Sequence, residues 1–252
     1  MIKVESLNKS FGENHVLRDI NFTFEQGKVN ILIGQSGSGK TVLLKNLVGL
    51  FIPDSGRILF GDINFLEIGF NEKKEIRREI GMLFQGGALF DYMTVEENIK
   101  FPLSMFTKMT EKEQKDRANS CLERVNLLNT NKLYPAEISG GMKKRVAIAR
   151  AISMNPKYLF CDEPNSGLDP STSILIDNLI MELTEEYNMT TIVITHDMNS
   201  VLEIGDNINF IYKGEAWWSG DKNQILNTEN KEINDFVYAS KYMKMLKEAG
   251  KI

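Results

Sequence analysis

The stretch Gly34-Gln35-Ser36-Gly37-Ser38-Gly39-Lys40-Thr41 constrains this chain more than any other. It lies between Val29 to Ile33, an apolar run that reads as a buried strand, and Thr41 to Leu50, whose apolar side chains recur at helical spacing. Glycines within it let backbone N–H groups turn inward around an anion, and the N-terminus of the following helix adds positive potential. Lys40 is placed to reach terminal phosphates, and the Thr41 hydroxyl to ligate a divalent cation. Gly34, Ser36, Gly37, Ser38, Gly39, Lys40 and Thr41 are therefore the first candidate binding residues.

Two further elements carry chemistry. Asp162-Glu163 follow the apolar strand Tyr158 to Cys161, which puts two carboxylates at the C-terminal edge of a parallel sheet, where such sheets bind ligands. Asp162 would hold Mg²⁺ through water, and Glu163 would polarise an attacking water as general base. Between the two sites, Ile138-Ser139-Gly140-Gly141-Met142 opens a basic helix. Two glycines there suit either a glycine-capped helix start or a second phosphate clamp, with N–H groups offered to an anion.

Strands are expected at Ile2 to Leu7, Ile20 to Phe24 and Arg57 to Phe60. Thr110-Glu111-Lys112-Glu113 is a capping box, after which Ala118, Cys121, Leu122, Val125 and Leu128 share a helical stripe. A helix from Gly140 would put Val146, Ala149, Ile152 and Ser153 on one face and Lys143, Lys144, Arg145 and Arg150 elsewhere. Past Pro156 the pattern is strand, helix (Ser171 to Tyr187), strand (Thr191 to Thr195). Such alternation predicts an α/β core with a mostly parallel sheet, interrupted by a helical insertion over about 86–156. With 252 residues, 42% of them hydrophobic and 25% charged, the composition is that of a folded globular chain of one large or two small domains. A net charge of −4 gives no reason to expect nucleic acid as a partner. No run approaches 18 uninterrupted apolar residues, and Met1 to Glu5 reads as a strand rather than a signal peptide. Cys121 and Cys161 lack metal-ligand spacing and read as buried thiols suited to a reducing cytoplasm.

The glycine-rich loop, the Ser139-Gly140-Gly141 element and Asp162-Glu163, in that order, resemble the ATP-binding cassette (ABC) ATPases over nearly the whole chain. The resemblance implies a P-loop NTPase core with an N-terminal antiparallel β subdomain and an inserted α-helical subdomain. The cassette would occupy 1–230 and a C-terminal helical extension 231–252. It also implies ATP and Mg²⁺ as cofactors, and a head-to-tail homodimer in which Ser139, Gly140 and Gly141 of one subunit close over ATP held by the glycine-rich loop of the other. Gln85, at the end of the strand Ile80 to Phe84, matches the family's Q-loop glutamine, which touches Mg²⁺ and the attacking water. Ser166-Gly167-Leu168-Asp169 matches the D-loop, His196 the histidine that contacts the γ-phosphate, and Phe11 the aromatic that stacks on adenine. His15, expected in a loop between strands, has no such match.

Gly86 to Ile99 is unusually apolar for a loop leading off a nucleotide site. Leu89, Phe90, Tyr92 and Met93 either pack within the helical subdomain or anchor a short helix from a membrane subunit. Phe84-Gln85-Gly86-Gly87-Ala88-Leu89-Phe90-Asp91, Phe101-Pro102-Leu103, and Met142 where the family commonly has glutamine resemble ATPases of bacterial envelope phospholipid transport, the Mla type and its mammalian-cell-entry relatives. That resemblance implies integral membrane permease subunits and an envelope lipid-binding protein with a mammalian-cell-entry domain as partners. It also implies a position at the cytoplasmic face of the bacterial inner membrane. The alternatives are the ATPase of a small-solute importer, and a cell-division or regulatory ABC ATPase that transports nothing. Lys231 to Ile252 places Ile233, Phe236, Val237, Ser240, Met243 and Leu246 near one helical face and Lys241, Lys244 and Lys247 opposite. This extension would dock on its own core, reach a second subunit, or meet a membrane surface.

Overall fold

Strand β1 (Ile2–Phe11) turns Ile2, Val4 and Leu7 inward and pairs antiparallel with β2 (Asn14–Phe24) and β4 (Ser55–Phe60). These data come from a computed structural model that describes residues 1–239 and residue 245. With β5 (Ile63–Asn64) the strands form a sheet of order β2-β1-β4-β5. Strict alternation would send Leu7 to the outer face. Instead Ser6 takes φ 46°, the register shifts beside it, and Leu7 returns to the core. Both opening strands run longer than their sequence pattern suggests. His15, expected in a loop, lies on β2 opposite Ser10 and is exposed.

The chain divides into two units, one made of residues 1–67 with 194 onward, the other of 68–193. In the first, β3 (Lys28–Ile33) pairs in parallel with β9 (Asn207–Tyr212), which pairs antiparallel with β10 (Glu215–Gly220). Val29, Ile31, Leu32 and Ile33 are all fully buried, the run of apolar residues that a strand covered on both faces requires. Helix α1 (Lys40–Leu47) ends three residues before the expected Leu50, because Val48 caps it and Gly49 turns the chain at φ 74°. Helices α7 (Met198–Ile204), α8 (Lys222–Leu226) and α9 (Lys231–Val237) complete the unit among the described residues. Helix α9 buries Ile233 and Val237 and sets Phe236 5.4 Å from the ring of Phe210. It covers only the start of the C-terminal stretch; Ser240, Lys241, Met243, Lys244, Leu246 and Lys247 lie outside the described residues.

The second unit runs α2 (Phe70–Arg78), β6 (Ile80–Leu83), α3 (Val95–Phe106), α4 (Glu111–Arg124), a 3₁₀ turn (Pro135–Glu137), α5 (Gly140–Ile152), β7 (Tyr158–Asp162), α6 (Pro170–Glu186) and β8 (Thr190–Ile194). Strands β6 and β7 are parallel, with Ile80 opposite Tyr158 and Leu83 opposite Cys161, and β8 flanks β7 on the other side. The capping box opening α4 forms as expected, with Thr110 N–H donating to Glu113 (2.6 Å) and Glu113 N–H to Thr110 Oγ1 (3.3 Å). Thr94 and Glu97 repeat it on α3. Helix α4 stops at Arg124, however, and Asn126 turns the chain at φ 54°, so Leu128 leaves the stripe and stands 69% exposed. Helix α5 departs furthest from expectation. Val146 to Ala149, Ala151 and Ile152 are all buried, so its apolar surface is wider than one face, and Lys144 is buried with them.

Candidate nucleotide site

Three glycines of the loop after β3 take positive φ: Gly34 at 151°, Gly37 at 79° and Gly39 at 110°. Two of them are also closely packed. A Cβ on Gly39 would fall 2.8 Å from Leu17 Cδ2, and one on Gly34 would meet Ile211 O and Ser38 Oγ. Gly39 is the N-cap of α1, so the first amides of that helix open onto the loop. Lys40 Nζ turns back along the loop, donating to Gly34 O (2.7 Å) and Gln35 O (3.0 Å), while Thr41 is exposed on the first turn. Ser38 Oγ is buried and finds no hydrogen-bond partner among the described residues. An orphaned hydroxyl, a lysine and helix-start amides around one loop fit the oxygens of a polyphosphate.

His196 follows β8 and is exposed; Thr195 N–H donates to Leu32 O (3.4 Å), which ties this segment to the end of β3, next to the glycine loop. Phe11 is 45% exposed, with Phe51 edge-on at 5.3 Å and Lys9 Nζ 5.3 Å from its ring. It is a surface aromatic rather than a core residue.

In the second unit, β7 ends at Asp162, and Glu163 takes φ 49°, a left-handed conformation that is rare for a glutamate. Backbone strain of this kind concentrates at functional positions. Gln85, just past β6, is exposed, and its Nε2 donates to Ser166 Oγ (3.3 Å) in the loop after Glu163. Ser139 is the N-cap of α5, its Oγ accepting from Met142 N–H (3.2 Å). The serine is thus a helix cap, and Gly140 behind it is exposed. Gly141 is half-buried against α6: a Cβ there would fall 2.6 Å from Thr172 Cγ2. Asp169 caps α6, accepting from Ser171 Oγ (2.6 Å), Thr172 Oγ1 (2.6 Å) and Thr172 N–H (3.0 Å), bonds that hold its carboxyl well below the usual range.

Two cations that helical spacing put off the apolar face of α5 reach the loops that follow β6 and β7. Lys144 Nζ donates to the carbonyl oxygens of Gln85 and Glu163, the latter at 3.4 Å; burial pushes its ammonium below the ordinary lysine range, partly offset by Cys161, Asp162 and Glu163. Arg150 holds Gly87 O (2.7 Å) and Ala88 O (2.8 Å), with its guanidinium 5.9 Å from the Phe90 ring. The available signal was the composition of α5 itself: a helix apolar around most of its circumference leaves its cations little water to face. Beyond the loop, Phe90 is half-buried against Phe101 (4.8 Å) and Tyr92 (5.8 Å), and Tyr92 stands 74% exposed.

A phosphate-cradling loop between a parallel strand and a helix, a carboxylate pair ending a second parallel strand, and a helix-inserted α/β unit define the class, a P-loop ATPase. The chain belongs to the ABC transporter family, whose sequence model matches residues 17–166. It is an ATPase of that family and uses ATP with Mg²⁺. It is similar to the probable ribonucleotide transport ATP-binding protein mkl of Mycobacterium leprae, 37% identical over 94% of this chain and 68% of that protein. The same comparison covers 66% of mkl from Mycobacterium tuberculosis, so the chain spans about two thirds of these mycobacterial relatives. The intermembrane phospholipid transport system ATP-binding protein MlaF of Haemophilus influenzae is 35% identical over 94% of this chain and 90% of its own length. The arginine transport ATP-binding protein ArtM of Bacillus subtilis is 38% identical over 94% and 98%. Among solved structures, the dimeric post-hydrolysis state of the ATP-binding cassette MJ0796, bound to ADP and Pi, superposes with a TM-score of 0.80 at 32% identity, over 88% of this chain and 99% of that one.

Proposed function

We propose that this chain is the ATP-hydrolysing subunit of a bacterial ABC transporter that moves phospholipid across the cell envelope. Its own residues divide the work. Gly34, Ser36, Gly37, Ser38, Gly39 and Lys40 hold the phosphates, and the exposed Phe11 stacks on adenine. Thr41, Gln85 and Asp162 are oxygen donors, the ligand chemistry Mg²⁺ prefers; bound there, the ion would neutralise charge on the phosphates. Glu163 orients and deprotonates the attacking water, and His196 contacts the γ-phosphate. Two chains pair head to tail, so that Ser139, Gly140 and Gly141 of one, with Asp169 nearby in the chain fold of α6, complete the site of the other. The cassette is residues 1–230 with a helical subdomain over about 86–156, and 231–252 is an extension. The dimer sits at the cytoplasmic face of the inner membrane on integral membrane permease subunits, with a mammalian-cell-entry-domain protein as the envelope partner.

The observation that carries the lipid reading is the likeness to MlaF over 90% of that protein's length. The apolar run from Leu89 to Met93 supports the permease contact. A second reading, the ATPase of a small-solute importer, is favoured by the likeness to ArtM and mkl. Purification of the tagged chain from its native membrane distinguishes them. Copurification of a permease, a mammalian-cell-entry-domain protein and phospholipid supports lipid transport; a permease with a solute receptor that binds amino acids or nucleotides replaces it with import. The hydrolytic assignment is tested separately: Glu163→Gln should bind ATP as the parent does and hydrolyse it about 10² to 10⁴ times more slowly. Parental hydrolysis by that variant overturns the role given to Glu163.

A further inference from the structure

Helix α5 touches the two catalytic loops of its unit through one side chain. Lys144 is only 5% exposed, and although the charges of Asp162 and Glu163 favour its ammonium, its two acceptors among the described residues are main-chain oxygens. One belongs to Gln85 just past β6, the other to Glu163 beyond β7, residues separated in sequence by the whole helical insertion. Carbonyls held in this way fix backbone, not side-chain rotamers. At Glu163 that backbone is the left-handed φ 49° conformation, which an unassisted glutamate would tend to leave. Six residues along α5, Arg150 grips Gly87 O and Ala88 O, and Ala88 is likewise left-handed at φ 49°. The helix therefore clamps the segment after Gln85 at both ends, but only Lys144 also reaches Glu163.

We propose that Lys144 is a positioning residue for ATP hydrolysis, setting the main chain of Glu163 against that of Gln85 so that their side chains act on the same water. The inference rests on the roles given above to Glu163 and Gln85. Because Lys144 holds backbone rather than nucleotide, its loss acts on turnover and not on ATP binding. A buried cation kept only for stability would show the opposite signature, a lower melting temperature with both kinetic constants moving together or not at all.

The test uses the full chain with Mg-ATP. Lys144→Met and Lys144→Leu remove the ammonium while filling the space with apolar atoms, and Lys144→Arg keeps a cation able to donate to two carbonyls. Steady-state hydrolysis gives kcat and KM, and equilibrium titration with a fluorescent ATP analogue gives affinity. Both neutral variants should lose kcat by roughly 10- to 100-fold, the scale of a small misplacement of reacting groups, with analogue affinity essentially that of the parent. Lys144→Arg should recover a substantial part of the loss. Parental kcat in either neutral variant overturns the proposal. So does loss of analogue binding in both, which would make Lys144 a residue of the fold, and so does Lys144→Arg no better than Lys144→Met. Glu163→Gln, run alongside, separates this from the reading beneath it. If Glu163→Gln hydrolyses like the parent, the role of Glu163 fails whatever Lys144 does. If Glu163→Gln is inactive and Lys144→Met is unimpaired, only the positioning role fails.

Discussion

Gly141→Ala should destabilise the protein, although alanine is the better helix former. Within α5 the exchange is favourable by up to about 1 kcal/mol. Against it stands the placement of the new Cβ 2.6 Å from Thr172 Cγ2, well inside van der Waals contact. Thr172 cannot turn aside freely: it is β-branched, its Oγ1 donates to Asp169 Oδ2 at 2.6 Å, and a new rotamer breaks that bond. Overpacking of this kind costs about 1–3 kcal/mol, which leaves a net loss of about 0–2 kcal/mol. For a chain of this size that is a fall of a few degrees in melting temperature. The cause is isolated by Thr172→Ser, which deletes Cγ2 and keeps the hydroxyl. The next atoms of Thr172 lie at 3.8 and 3.9 Å from the added Cβ, ordinary contact distances. In the Thr172→Ser background Gly141→Ala should therefore be neutral or stabilising, giving a coupling of about 1–3 kcal/mol in a double-mutant cycle read by urea and thermal denaturation. Equal effects of Gly141→Ala in both backgrounds would refute the steric argument.

Lys40→Ala should abolish measurable binding of a fluorescent ATP analogue while leaving the melting temperature of the protein without nucleotide within a few degrees, since its two described hydrogen bonds run to carbonyls of its own loop; retained analogue affinity contradicts the assignment. Tyr92→Asp is the cleaner probe of the permease contact than Phe90→Asp, because Tyr92 is 74% exposed while Phe90 packs on Phe101. It should release the chain from native membranes with ATP hydrolysis unchanged, as followed by sedimentation; undiminished cosedimentation places the contact elsewhere. Both thiols are buried, and burial pushes Cys121 up to about 11, so at pH 8 its thiolate fraction is roughly two orders of magnitude below that of an ordinary cysteine. Ellman's reagent at pH 8 should titrate neither thiol rapidly in the native protein and both in urea; rapid reaction of either thiol in the native protein contradicts this reading.

What the sequence made legible was local. The glycine loop could be read because each residue acts within a turn: positive φ at Gly34, Gly37 and Gly39, and Lys40 beside them. The capping box at Thr110 and the carboxylates at the end of β7 were readable for the same reason. Reading failed where a residue's fate depends on distant packing. His15 sits on a strand because β1 extends to Phe11 and gives it a partner, which no local pattern announces. Leu128 continues the heptad-like spacing of α4, but Asn126 ends that geometry first. Helical spacing sets Lys144 off the apolar face of α5, yet it is buried. Its burial follows from β6, α3, α4 and α6 all packing on α5, a property of the assembled unit that helical spacing alone cannot encode. Glu163 is a candidate through its neighbours in sequence, whereas its left-handed backbone is visible only in three dimensions.

The pairing of β3 with β9 joins Asn30 to Asn207, residues 177 apart in sequence. A ribosome adding roughly 5–20 residues per second needs about 9–35 seconds to cover that distance. Through that interval the strand Val29 to Ile33, entirely apolar except for Asn30, has emerged without its parallel neighbour, while the whole of residues 68–193 is being made. The nucleotide loop, anchored on β3, thus waits for the last quarter of the chain before its final framework exists. Pulse-labelled nascent chains should acquire protease resistance in 68–193 first, and release of a chain truncated before Asn207 should leave the apolar strand for chaperones rather than for ATP.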